Sequence, residues 1–271
     1  MSDAEMLYVY AVGRDDRALD RLTSLVTGVD RHALRLVGSR GLAALVSPVP
    51  ADRFAEASLM AQLEDLGRLE SLARAHHAVV DAAFAETTVL PMRLATVYRD
   101  EPRVAAVLDE QYTHFEKLLR LFDGHVELGV KVYAVPHAVS HAVPEQPETG
   151  PAASTPGRAY LRRRRAQRNT VRYAARAAST IAEAAARKAD ALATARAVHR
   201  PQQGEWSGGR GENVANESYL VPLDAVDEFR GSLSALARDE PGVGIEVTGP
   251  WAPYSFAAQA ARERVNSGER E

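Results

Sequence analysis

The spacing of apolar positions changes several times along the chain, and each change predicts an element. MLYVYAV (6–12) is a continuous β-branched and aromatic run closed by Gly13, which predicts a buried strand. Asp15 and Asp16 follow. Leu19, Leu22 and Val26 then recur at helical spacing as far as Gly28, predicting a helix with an acidic start. In ALRLVGSRGLAALVS two apolar runs flank Gly38-Ser39-Arg40-Gly41, the pattern of a hairpin. From Asp52 to Glu86, Leu59, Leu63, Leu66, Ala73, Val80 and Phe84 keep a helical period with no proline, predicting one long helix. TTVLPMRL (87–94) is a further strand, with Pro91 marking an edge or a bulge. The order strand, helix, strand, strand, helix, strand predicts a ferredoxin-like βαββαβ domain over residues 1–98, one sheet face lying under two helices.

The second half alternates differently. Glu101 to Phe122 is helical and ends at Asp123-Gly124; VELGVKVYAV (126–135) then alternates as a strand. Residues 136–157 are rich in proline and alanine and form a linker or insertion. A long basic helix is predicted from Arg158 to His199, a loop over 201–212, and a strand in ESYLVPL. Asp224 caps a helix reaching about Arg238, and VGIEVTG is the last strand. These elements predict a C-terminal α+β domain of two βαβ units over residues 99–256, followed by a charged tail, 257–271. The chain as a whole reads as α+β.

Composition narrows the function. Hydrophobic content of 46% with 25% charged residues is that of a globular protein with a real core. There is no cysteine, which removes disulfides, thiolate metal sites and cysteine nucleophiles and suits a reducing compartment. The acidic N-terminus lacks the form of a secretory signal, and no apolar run approaches the roughly 20 residues of a membrane helix. A soluble cytoplasmic protein without a membrane partner is expected.

Charge is unevenly spread. Within 158–200 only Glu183 and Asp190 are acidic, whereas RRRR (162–165) is followed by Arg168, Arg172 and Arg176. Arg163, Arg164, Arg168 and Arg172 therefore form a basic stripe on one helix, suited to an acidic protein partner or an acidic face of the same molecule. A nucleic-acid-binding regulator using this helix is the alternative; sparse aromatic interleaving (Tyr160 and Tyr173) and a net charge of −3 oppose it. His76-His77 are adjacent and read as surface or boundary residues, while His137 and His141 lie in the proline-containing loop. None has the spacing of a metal site. GEWSGGRGE lacks the ending of a phosphate loop, no G-x-S-x-G elbow is present, and the helix carboxylates read as solvated surface. No catalytic, cofactor, metal or small-molecule substrate site emerges. An enzyme on a ferredoxin-like scaffold stays a competing class because that fold hosts many chemistries.

TGPWAPYSF (248–256) concentrates three aromatics in a chain that is 6% aromatic. Gly249 lets the chain leave its last strand in a conformation closed to most residues, and Pro250 and Pro253 stop the ladder. Trp251, Tyr254 and Phe256 are expected to pack back onto the protein; the competing reading makes Trp251 an exposed anchor for a partner.

Three of these stretches, LYVYAV, VLPMRLATVY (89–98) and TGPWAPYSF, together resemble the GvpF/GvpL family of gas vesicle proteins. GRAYLRRRRAQR (157–168) and SYLVPLDAVDEF (218–229) also look like that family's segments, in order from Met6 to Phe256. The family's middle motif more often reads Arg-Phe-Gly-Thr; here it is Arg93-Leu94-Ala95-Thr96. The resemblance implies a non-enzymatic accessory or minor structural protein, located at gas vesicles. It would bind the hydrophobic shell subunit and other accessory proteins during assembly. It does not separate F-type from L-type members.

Overall fold

The strand β1 (Glu5–Arg14) is buried along nearly its whole length, and the first sheet is built around it. The structure, a computed structural model, describes residues 4–136, 156–201, 211–238 and 240–266. β1 pairs antiparallel with β3 (Leu42–Pro50), which pairs antiparallel with β2 (Arg35–Ser39). On its other side β1 meets β4 (Val89–Pro91) and, further along, β5 (Val97–Tyr98). The path through the sheet is β2-β3-β1-β4, with a register shift in β1 between Val9 and Ala11.

Helix α1 (Arg17–Leu25) starts where Asp16 accepts the backbone N–H groups of Ala18 and Leu19 at 2.9 and 3.0 Å. The long helix expected over 52–86 is three helices: α2 (Ala51–Phe54), α3 (Glu56–Glu64) and α4 (Leu66–Glu86). Ala55 and Asp65 interrupt it with extended ψ of 152° and 113°, and Asp65 caps α4 by accepting the Arg68 N–H at 2.7 Å. Apolar periodicity does not register a break of one residue. The helix expected over 101–122 likewise divides at Gln111 into α5 (Glu101–Glu110) and α6 (Tyr112–Phe122).

Tyr8 and Tyr10 point into a core shared with Leu19, Phe54, Leu72 and Val80. Leu7 and Val9, alternating with them, are equally buried. Residues 99–127, assigned from sequence to the second domain, account for this: α5 packs on β2 and β3, and α6 on β4. Glycine is required at 28, where a Cβ would stand 2.1 Å from the Tyr10 hydroxyl. That hydroxyl accepts the Val29 N–H at 2.8 Å and donates to Ser47 Oγ at 3.0 Å.

One compact unit comprises the chain up to Glu127 together with the residues from Pro250; Leu128–Gly249 is the second. The second sheet has the order β7-β8-β6-β9: β7 (Ala195–Val198), β8 (Glu212–Pro222), β6 (His125–Ala134) and β9 (Val243–Trp251). Two helices of this unit are α7 (Pro156–Asp190) and α8 (Val226–Leu236). The helix expected to reach His199 stops at Asp190, and residues 195–198 form the extra strand β7, which pairs antiparallel with β8. The order among the described residues is therefore β6-α7-β7-β8-α8-β9, with four strands where three were expected. A four-residue strand with two alanines carries almost no strand signal. β9 also runs further than expected, through Pro250 to Trp251, with Gly249 at φ 102°. Helix α9 (Tyr254–Asn266) runs from the end of the last aromatic stretch into the charged tail expected from residue 257. His137, His141, nearly all of the proline-rich insertion and most of the glycine-rich loop lie outside the described residues.

Candidate partner-binding site

The loop Met92–Thr96 of the first unit is held by several hydrogen bonds. Met92 N–H donates to the Tyr10 carbonyl at 2.8 Å, and Val9 N–H to the Thr96 carbonyl at 2.9 Å. Ala95 N–H donates to the Tyr8 hydroxyl at 3.0 Å. His76, fully buried on α4, contacts the Met92 carbonyl through Nε2 at 3.1 Å and the Tyr8 hydroxyl through Nδ1 at 3.1 Å. A carbonyl only accepts, so Nε2 carries the proton and Tyr8 donates to Nδ1. Burial pushes the imidazole down to about 4, with neighbouring His77 adding to the effect. Burial also pushes the Tyr8 phenol well above its ordinary value. Both groups are neutral at pH 7 and hold the loop.

His76 was read from sequence as surface or boundary. The signal for its burial was available: Leu72, His76, Val79, Val80 and Ala83 follow one helical face, and all are buried. Ala95 adopts φ 64°, in the left-handed region that favours glycine.

This loop forms one wall of a cavity of about 480 Å³ that lies wholly within the first unit. Leu90, Met92 and Leu94 line it from the strand and loop, Val107, Phe115 and Leu118 from α5 and α6, and Ala257, Ala258 and Ala261 from α9. Arg93, Thr96, Gln111 and His114 supply its polar lining. Helix α9 is secured at its start, where Glu127 accepts Ser255 N–H at 2.8 Å and Ser255 Oγ–H at 2.6 Å. Tyr254 packs its ring 5.0 Å from that of His77, and its enclosed hydroxyl has no hydrogen-bond partner among the described residues.

The aromatic cluster expected to pack as a group is divided. Phe256 is buried and Tyr254 partly so, whereas Trp251 is 49% exposed. Pro250 and Trp251 still belong to the last strand, and the chain turns inward only at Ala252, which is buried.

Arg163, Arg164, Arg168 and Arg172 lie on the exposed part of α7. Helix packing begins later, at Ala174, Ala178, Ala185 and Ala189, all buried. Arg164, Arg168 and Arg172 are four apart and form one row, with Arg163 beside it. Arg196 of this unit pairs with Asp190 and Glu217, whereas the four stripe arginines join no ion pair among the described residues. They belong to the second unit and Trp251 to the first.

Among the described residues no cluster of three or more histidine or carboxylate side chains could hold a metal ion, and no helix is long and apolar enough to cross a membrane.

The family model described as gas vesicle synthesis protein GvpL/GvpF matches residues 6–258. Gas vesicle protein L of Streptomyces sp. (strain CB03234) is 40% identical over 266 residues, covering 97% of each chain. Gas vesicle protein F of the same strain is 31% identical over 257 residues, covering 92% of this chain and 98% of that protein. The fold is similar to the crystal structure of GvpF from Anabaena sp. PCC7120, with a TM-score of 0.62 at 17% identity over 93% of this chain and 96% of that one. The GvpF structure from Microcystis aeruginosa gives 0.58 at 18% identity, covering 93% and 98%. The chain belongs to the GvpL/GvpF family of gas vesicle proteins.

Proposed function

We propose that this protein is a non-enzymatic assembly factor of gas vesicles that binds the hydrophobic shell subunit and other gas vesicle accessory proteins in the cytoplasm. The observation that carries the reading is the match to the family along nearly the whole chain. Higher identity to the L protein than to the F protein of one strain supports an L-type member. The strand order β2-β3-β1-β4 supports reading the first unit as ferredoxin-like.

A shell subunit that turns one face to gas is apolar and prone to aggregate before assembly. A partner with charged helices can hold it in water and orient its addition. Apolar anchors then supply affinity, and charged rims supply orientation. The exposed arginine row of the second unit and, separately, Trp251 of the first are the residues we assign to such partners.

The test is affinity capture of the tagged chain from vesicle-forming cells, with nuclease treatment before elution. Recovery of the shell subunit and accessory proteins is expected. Recovery of nucleic acid in their place, lost on nuclease treatment, contradicts the reading.

A further inference from the structure

Beyond Tyr254, the wall that α9 contributes to the cavity of the first unit carries only methyl groups. Ala257, Ala258 and Ala261 line the same cavity as Phe115 and Leu118. Its volume of about 480 Å³ falls in the range of built binding sites, roughly 300–1,000 Å³. Unfilled apolar space forfeits dispersion contacts on both walls, so an apolar group that enters gains them. Small side chains on a helix also let another helix approach closely.

Arg93 is the one arginine or lysine in the lining, and no carboxylate lies there to neutralise it. It is exposed and joins no ion pair among the described residues. Its loop is already fixed by the bonds of Met92, Ala95 and Thr96, so little ordering is left to be lost on binding. Apolar walls with a cation at the edge complement one chemistry: a large apolar side chain with a carboxylate close by. On a helix the two would stand within one turn of each other.

Resting on the reading that this protein binds the shell subunit, we infer that the cavity is the anchor site. It takes a large apolar side chain from a helical segment of the shell subunit, whose neighbouring carboxylate pairs with Arg93.

The test places a photo-crosslinking phenylalanine derivative at Gln111, in the cavity lining, and as a control at Glu56, an exposed residue on α3. Both full-length chains are irradiated in vesicle-forming cells, and adducts are mapped by mass spectrometry. A Gln111 adduct to the shell subunit is expected, within a helical stretch that has an acidic residue inside four positions. It should fall at least tenfold in Ala258→Leu, which fills the cavity, and several-fold in Arg93→Glu. Melting of Ala258→Leu should be unchanged or higher; if it is lower, Arg93→Glu decides alone. Absence of the Gln111 adduct, or its persistence in the deciding variant, overturns the cavity assignment. If the tagged chain still captures the shell subunit, the proposed function stands and the cavity falls; if it captures none, both fall.

Discussion

The Tyr8 hydroxyl and His76 Nδ1 lie 3.1 Å apart, and the direction of their hydrogen bond is set by a third residue, because the Met92 carbonyl claims the proton on Nε2. The pair joins β1 to α4 and holds the loop that forms one wall of the cavity. Adding a proton to His76 removes the acceptor for Tyr8 and buries a charge among aromatic rings.

Stability should therefore depend on pH through His76. Its folded value, about 4, lies below the ordinary 6.5. Between these values the unfolded chain binds a proton that the native chain refuses. The His76 contribution is full above pH 6.5 and is lost as pH falls toward 4, amounting to about 3 kcal/mol. Denaturant titrations at pH 8, 6 and 4, beside His76→Gln, measure it. Equal pH slopes in the two proteins would show that His76 is not the group.

Ala95 at φ 64° occupies a conformation that costs an ordinary residue about 1–2 kcal/mol relative to glycine. Glycine loses more chain entropy on folding, about 0.4–1 kcal/mol. Ala95→Gly should stabilise the protein by about 0.5–1 kcal/mol, read as a higher denaturation midpoint at unchanged m-value. A lower midpoint would mean that the methyl group makes a contact worth more than the strain.

The fate of TGPWAPYSF separates two neighbouring substitutions. Phe256→Ala empties a buried site and should cost about 3–5 kcal/mol. Trp251→Ala removes a half-exposed ring and should cost about 1 kcal/mol or less. Melting curves of both proteins decide, and similar losses would place Trp251 in the core.

Much of the architecture was legible because the signals were local. The run MLYVYAV, the glycine hairpin at 38–41 and the acidic cap at Asp16 each specify their own element. Illegible features came from long-range packing. The strand ARAV is defined by pairing with β8, Asp65 breaks a helix without disturbing its period, and the return of α9 to the first unit depends on the Glu127–Ser255 contact across 128 positions. The cavity belongs to the same class, since its walls come from stretches far apart in the chain. The arginine row was legible because four-residue spacing on a helix is itself local.

Reversing Arg163, Arg164, Arg168 and Arg172 to glutamate should weaken partner capture without lowering the melting temperature. The four side chains are exposed and join no ion pair among the described residues, so their reversal removes no contact that holds the fold. Exposed pairs contribute about 0–1 kcal/mol each and are screened by salt. Wild-type capture should therefore decline between low and high salt, while the reversed variant should be weak throughout. Equal capture by both proteins at low salt would reduce the row to a solvated face.

The central claim, a role in building gas vesicles, is tested most directly by deleting the gene in a vesicle-forming host and examining whole cells by electron microscopy, with the intact gene restored in parallel. The expected result is absent or malformed vesicles that return to normal on restoration. Vesicles normal in number and shape after the deletion would contradict it.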